Sequence, residues 1–557
     1  MSYALRTSLF SKRSAVIRWL IVAVMCMTIF FSVRTVAWSG EVAPELLKEL
    51  ETSGIDYEHA VIIKLRDAVD YQSLKAAAGH MVRSERVKKV VQEVKAATDR
   101  SQQNLRLHLV EQKTLGRVRN MKQFWIFNGI AVTATAEAIK ELASRADVAE
   151  VVQDSVIAMG IPVPASSATV TTAGWNLDRI GVKPLWNAGY RGQGVVIASL
   201  DTGVDINHPD LAPSWRGGTN SWYDPNGEHP TPADIMTGPR SGHGTQTMGI
   251  MIGGSSSGSD IGVAPGARWI AAKIFNDAGN ATYSVIHQGF QWILDPDLDP
   301  ATDDSPDVVN CSWDLANTGT VDAAREFQPD IQALHAAGIA AVFSAGNAGP
   351  LANTSVSPAN YPESFSVGMT DGMDTISTQS SRGPSAYDGT SIYPTLVAPG
   401  EGIRTTDLWF GSANVSFVTE NGTSFSAPHI AGAMALLLSG NPALTDVQLE
   451  DAIKQTAWDL GTSGPDNTYG NGFLDVERAA RQLNILLPGP AGDVDGNGVL
   501  DLNDVLIELR AAIGFTTSIV EMNRVVATGD VFPLDAPDGA ITAGDALTLL
   551  RMYVTAQ

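Results

Sequence analysis

Four short stretches of the chain carry the residue types that acyl transfer requires: a hydroxyl nucleophile, a base, an acid to orient that base, and donors for an oxyanion. The run Val195–Leu200 is apolar and strand-like and ends in Asp201-Thr202-Gly203. An acid at the carboxyl end of a buried strand sits where open α/β sheets place their sites, although an aspartate there can equally cap a helix. His243 stands in Ser241-Gly242-His243-Gly244-Thr245. Glycines on both sides of it allow close approach of backbone and partner groups.

Ser424 lies in Asn421-Gly422-Thr423-Ser424-Phe425-Ser426-Ala427-Pro428, ahead of an apolar helix over 429–438. That places it at a helix N-terminus, where free N–H groups favour developing negative charge; a plain serine cap is the alternative. Asn347 closes the strand pattern 339–343 in Ser344-Ala345-Gly346-Asn347. Its amide is placed either to donate to an oxyanion or to form an Asx-turn. Singly each stretch is ambiguous; together they supply every part of a nucleophilic hydrolase.

Apolar strand-like runs alternate with helical patterns from Trp175 onward, which predicts an α/β domain with a mostly parallel sheet. The chain has 557 residues, 44% hydrophobic and 18% charged, enough for several domains and a large core. Its net charge of −22 is unevenly spread. Residues 1–40 hold five basic residues and no acidic one, residues 41–160 hold seventeen of each, and the rest hold 16 basic against 43 acidic. So acidic a body excludes nucleic acid as a partner bound through phosphate neutralisation.

Arg6, Lys12, Arg13 and Arg18 precede an apolar run from Trp19 to Val33, with Thr35 and Ala37 after it. This is the pattern of a secretory signal over 1–37, the run being short for a spanning helix; an uncleaved anchor is the alternative. Once the signal is removed, Cys311 is the one remaining cysteine, in a strand-like stretch that predicts a buried, inert thiol. Residues 55–160 read as a separate small domain: strand 59–65, long helix 84–113, two strands around Asn128-Gly129 within 124–133, helix 136–143 and strand 148–157. The order β-α-β-β-α-β fits a small α+β sandwich. Residues 161–174 and 486–492 read as linkers, the first open to proteolytic nicking.

Asp201-Thr202-Gly203, Gly242-His243-Gly244-Thr245 and Gly422–Pro428 resemble the three signature motifs of the subtilases, the subtilisin-like serine proteases, over about 175–485. Trp175–Ile180 and Gly262–Gly266 are similar to the bacillopeptidase-F-like branch, and residues 55–160 resemble the family's inhibitory propeptide. The resemblance implies a three-layer subtilisin-like domain that hydrolyses polypeptides, with Ser424 as nucleophile, His243 as general base and then acid, and Asp201 orienting His243. Asn347 and the Ser424 N–H would bind the oxyanion. It further implies a propeptide that assists folding, inhibits the site and is cut away by the enzyme itself; the linker composition places that cut between about Ala158 and Ala173.

The same resemblance places Ser312, Trp313, Asp314, Gly346 and Val356 beside the substrate. Asp314 stands where relatives usually have glycine, and either favours a basic substrate side chain or points to solvent, the commoner fate of an aspartate. Val356 stands where glycine often lines the primary pocket, which hints at smaller or apolar side chains. A lipase or esterase on an α/β-hydrolase fold is excluded, because that fold wants Gly-x-Ser-x-Gly and the order serine, acid, histidine. A non-catalytic scaffold is the reading from another class.

Residues 493–557 carry a repeat. Asp493, Asp495, Asn497, Asp501 and Asp504 fall at positions 1, 3, 5, 9 and 12 of an EF-hand-type loop with Gly498 at position 6, so Ca²⁺ is the expected cofactor. A second copy offers Asp530, Asp538 and Asp545, with Ala536 at position 3 and Asp535 nearby. Each loop runs into a helix, and Leu506, Leu509 and Arg510 match Leu547, Leu550 and Arg551. The pair resembles a dockerin-type module, which implies a cohesin-like surface scaffold as partner. Asp295, Asp297, Asp299, Asp303 and Asp304 form a third acidic cluster, read as a solvated loop although its first spacings suit calcium.

Overall fold

The computed structural model describes residues 40–53, 57–67, 69–160, 174–256, 258–315, 325–412, 414–487, 502–512 and 542–556. The expected signal at 1–37, most of both linkers, and the ligands Asp493, Asp495, Asn497, Asp501, Asp530 and Asp538 lie outside these residues. Among the described residues no helix is long and apolar enough to cross a membrane.

The chain divides into two compact units. The smaller comprises the described parts of Met1–Ala68, Ser101–Gln123 and Gly129–Gln153. Its sheet contains β1 (Glu41–Val42), β2 (Glu58–Leu65), β3 (Val118–Phe124), β4 (Gly129–Thr135) and β5 (Val148–Gln153), in the order β1-β5-β2-β4-β3. Alternating Val61, Ile63 and Leu65 of β2 face a core shared with Leu46, Leu50, Leu105, Leu109, Ile139 and Leu142 from three helices. The expected β-α-β-β-α-β order is present, with a short leading strand and the helix Pro44–Thr52 added in front and the helix Tyr71–Ala78 inserted before the long helix Arg83–Thr114. The first hairpin strand lies at 118–124 rather than within 124–133, because Trp125–Asn128 form the turn.

The strand expected over 148–157 is broken after Gln153. β6 (Val156–Ala158) leaves the small sheet and belongs to the larger unit, which holds Val69–Arg100, Phe124–Asn128 and everything from Asp154. The break has a tertiary cause: the Asp154 carboxylate accepts a hydrogen bond from Ser284 N (2.8 Å) in the first turn of the helix Tyr283–Leu294. An acidic side chain there satisfies an orphan helix N–H and complements the helix dipole.

The larger unit is built on seven parallel strands: β7 (Val196–Asp201), β8 (Trp222–Tyr223), β9 (Arg268–Lys273), β11 (Val308–Cys311), β12 (Ala340–Ser344), β13 (Phe365–Thr370) and β14 (Leu396–Pro399). Their order is β14-β13-β12-β11-β7-β9-β8. Side chains alternate between two cores, as the two-residue period of a strand demands. Ile197, Val308 and Val342 join the helices His243–Ile252 and Thr423–Gly440 on one side. Leu200, Val309, Cys311 and Phe343 join Tyr283–Leu294 and Gln328–Ala337 on the other. The result is the expected three-layer α/β sandwich, with Cys311 fully buried and its thiol pushed well up by burial. Two short ribbons flank it: β10 (Asn280–Thr282) antiparallel to β6, and β15 (Ile403–Thr406) antiparallel to β16 (Phe417–Glu420).

Candidate active site

Asp201 is the last residue of β7, and His243 is the first of the helix that follows. Their approach depends on glycine. Gly203 has φ +115° and Gly242 φ +73°, backbone that other residues rarely adopt. A Cβ on Gly244 would lie 2.0 Å from the Gly203 carbonyl oxygen. The two loops therefore touch backbone to backbone, and the His243 Nδ1–H donates to Asp201 Oδ1 at 2.8 Å. Both side chains are buried. Asp201 Oδ1 also accepts from Thr202 N (2.7 Å), which fixes the carboxylate's orientation.

Burial works against a charged His243. The charge and hydrogen bond of Asp201, with Asp234 and Glu420 adding to them, outweigh burial and raise the imidazole above its ordinary value. The geometry thus favours an imidazolium once a proton arrives on Nε2.

Ser424 is the second residue of the helix Thr423–Gly440. That helix begins six residues before the expected start, and Pro428 lies inside it. Proline has no N–H, so the Ser424 carbonyl four residues back lacks its helical donor. Ser312 Oγ supplies one at 2.9 Å, while Ser424 Oγ donates to the Ser312 carbonyl at 3.2 Å. Among the described residues the Ser424 hydroxyl has no hydrogen bond to His243, though both line the same cleft. A rotation about the Ser424 Cα–Cβ bond is needed to bring it to Nε2.

Asn347 follows β12. Its Oδ1 accepts from Thr423 N (3.0 Å) and Thr423 Oγ1 (3.1 Å), and the Asn347 side chain lines the cleft beside Ser424. With Oδ1 occupied, the amide's donor end is available to an oxyanion. The arrangement can deprotonate a hydroxyl, hold the resulting imidazolium, and stabilise negative charge on an attacked carbonyl.

Of the expected substrate-side residues, Ser312, Trp313 and Asp314 line the cleft. Trp313 is nevertheless mostly a core residue, its ring packed against Phe275, Phe290, Phe327 and Phe343. Asp314 does not point to bulk solvent: it is half-buried, and burial pushes its carboxyl up to about 6. Gly346 (φ +88°) and Val356 are not among the lining residues. A Cβ on Gly346 would meet Val356 Cγ2 at 2.7 Å, and Val356 is buried behind it.

Gly160 also lines this cleft. It is brought there by β6, which pairs Val156, Ile157 and Ala158 with Thr282, Ala281 and Asn280, and by Met159 N donating to the Gly279 carbonyl at 2.8 Å. An extended segment of the chain thus runs into the cleft that Ser424 lines.

Two carboxylates near the site carry no recognisable motif. Asp234 is buried, accepts from Thr245 N (2.8 Å) and Oγ1 (2.6 Å), and is pushed up to about 6, chiefly by burial. Glu420, half-buried at the end of β16, is raised by burial while His243 opposes the rise. The one sequence signal near Asp234 is Gly203, whose Cβ would collide with the Ala233 carbonyl at 1.9 Å.

The two expected ligands of the C-terminal repeat that are described, Asp504 and Asp545, are fully buried in the first turns of the helices Leu502–Ala512 and Ala543–Ala556. Those helices pack through Ala511, Leu549, Val505 and Met552, whereas Leu506, Leu509, Leu547 and Leu550 stay exposed. The third acidic cluster is solvated only in part: Asp297, Asp299 and Asp303 are exposed, whereas Asp295 and Asp304 are buried, Asp295 bound by Lys95 and Asp304 accepting from Asn220 Nδ2 at 3.0 Å.

Comparison with known proteins supplies the remaining findings. Residues 192–472 match the model of the subtilase family, and residues 60–159 match that of the peptidase inhibitor I9 domain. The chain is 32% identical to bacillopeptidase F of Bacillus subtilis over 488 residues, which are 78% of this chain and 32% of that protein. It is 31% identical to subtilisin E of Bacillus subtilis over 365 residues, 65% of this chain and 82% of the relative. It is also 31% identical to subtilisin Savinase of Lederbergia lenta, covering 55% of this chain and 98% of the relative. The chain therefore spans about a third of the length of bacillopeptidase F but most of the subtilisins.

Proposed function

The chain belongs to the subtilase family, and on that premise we propose that it is a secreted serine endopeptidase made as a self-processed proprotein. The observation that carries the reading is the 2.8 Å bond between His243 Nδ1 and Asp201 Oδ1, with His243, Ser424 and Asn347 lining one cleft.

In the proposed mechanism the Ser424 hydroxyl turns from the Ser312 carbonyl to His243 Nε2, which takes its proton as Oγ attacks the substrate carbonyl. Asp201 holds the imidazole in the tautomer with the proton on Nδ1 and stabilises the imidazolium. The oxyanion is bound by Asn347 Nδ2 and the Ser424 N–H. His243 then protonates the leaving amine, and water, deprotonated by the same imidazole, hydrolyses the acyl-enzyme.

The I9 match supports an intramolecular inhibitor. With β6 leading Gly160 into the cleft, we assign the bond after Gly160 as the one the enzyme cuts in itself. Export rests on the pattern of residues 1–37. Calcium binding rests on the C-terminal loop spacing, in which Asp504 and Asp545, buried at their helix starts, hold the twelfth position of the first and second loop. The matched, exposed Leu506, Leu509, Leu547 and Leu550 favour a protein partner for this repeat, a cohesin-like scaffold being the implied one.

A fluorophosphonate probe and a casein digest test the reading. The wild type should be labelled and should cut casein, and Ser424→Ala should do neither. An unlabelled, inactive wild type would favour the non-catalytic scaffold.

A further inference from the structure

Asp314 is a carboxylate in a cleft with nothing to answer its charge. It lines the site with Ser424 and Asn347, and among the described residues it makes no hydrogen bond or ion pair. Burial alone accounts for its raised pKa. Of the titratable groups nearby, His243 is engaged by Asp201 on Nδ1, and the Tyr393 hydroxyl donates to the Ala345 carbonyl at 2.6 Å. Neither offers Asp314 a counter-charge. An unpaired, half-desolvated carboxylate is a standing cost to the fold, which a cationic ligand would relieve.

The segment that occupies the cleft does not relieve it. Gly160 has no side chain, and a Cβ built on it meets nothing within 4 Å. A side chain at this position would have open space around its Cβ, and Asp314 lines the same cleft. No basic residue lies between Ser155 and Gly174, so the segment on either side of Gly160 does not supply the cation either.

We propose that Asp314 makes the cleft selective for arginine or lysine on the substrate residue that occupies the place of Gly160. The proposal rests on the endopeptidase reading given above. A guanidinium or ammonium entering there forms a charge-assisted pair that a neutral side chain cannot, which is typically worth about 10- to 100-fold in discrimination. Self-cleavage after a glycine does not conflict with this, because tethering raises the effective concentration of the leader far above that of any free peptide.

The test uses the full-length protein after self-processing, its active sites counted with a fluorophosphonate. Quenched-fluorescence peptides differing only in the residue before the cut (arginine, lysine, methionine, glutamine) are compared between wild type and the Asp314→Asn and Asp314→Gly variants. The expected result is a wild-type kcat/KM ratio of arginine over methionine of at least about 10, collapsing towards one in both variants. Equal cutting of all four peptides by the wild type, or a ratio unchanged in the variants, overturns the role of Asp314 while leaving the endopeptidase intact. Labelling of Ser424 with no peptide or protein cut overturns the endopeptidase reading, and this proposal with it.

Discussion

Ser312 and Ser424 satisfy one another: the Ser312 hydroxyl donates to the Ser424 carbonyl at 2.9 Å, and the Ser424 hydroxyl donates to the Ser312 carbonyl at 3.2 Å. The first bond exists because Pro428, one helical turn on, withholds the N–H that would otherwise reach that carbonyl. Replacing Ser312 by alanine strands the Ser424 carbonyl, which should cost about 1–3 kcal/mol of stability. It should also lower kcat by loosening the start of the helix. Denaturant titration in the Ser424→Ala background isolates the first effect, and steady-state kinetics with counted active sites gives the second.

Asn347 is tied by its Oδ1 to Thr423, leaving its N–H₂ for the oxyanion. Asn347→Ala should lower kcat by about 10²- to 10³-fold with KM changed little, since the bond forms only as charge develops. A loss confined to KM would show that Asn347 holds substrate rather than the oxyanion.

The pH profile should carry the mark of Asp201, Asp234 and Glu420. Catalysis needs His243 neutral, and these carboxylates raise its pKa against the opposing effect of burial. The acid limb of kcat/KM should therefore have its midpoint above the ordinary histidine value of about 6.5. Glu420→Gln removes one negative charge and should move that midpoint down. A midpoint that stays put would mean that solvent screens Glu420.

His287 gives a prediction about stability. It lies buried between Asp330 (2.9 Å) and Glu326 (3.1 Å). Burial favours its neutral form, but the charge and hydrogen bond of Asp330, then Glu326, outweigh that and raise it to about 9. A pKa raised on folding stabilises fully below the unfolded value of about 6.5, and the contribution disappears as pH climbs through about 9. The denaturation midpoint of the Ser424→Ala protein should fall across that window, and the gap between it and a His287→Gln copy should narrow.

The central strands and the four candidate site stretches could be read locally because each combines a buried strand or helix end with the residue that follows it. Asp201, His243 and Ser424 each sit where such an element starts or stops. Other features depended on distant partners. The helix holding Ser424 begins early because Ser312, over a hundred residues away, compensates for Pro428. The strand over 148–157 breaks because Asp154 caps a helix at Ser284. Asp234 and Glu420 approach His243 only through tertiary folding and have no motif. Asp314 read as a surface aspartate because its sequence neighbours say nothing of the cleft that encloses it.

The central claim is that Ser424, activated by His243, cuts its own chain after Gly160. Intact mass spectrometry of the purified full-length protein, followed over time in calcium beside a Ser424→Ala copy, tests it most directly. The wild type should release a fragment whose C-terminus is Gly160, and the variant should stay whole. Both proteins staying whole, or both being cut at the same bond, would contradict it.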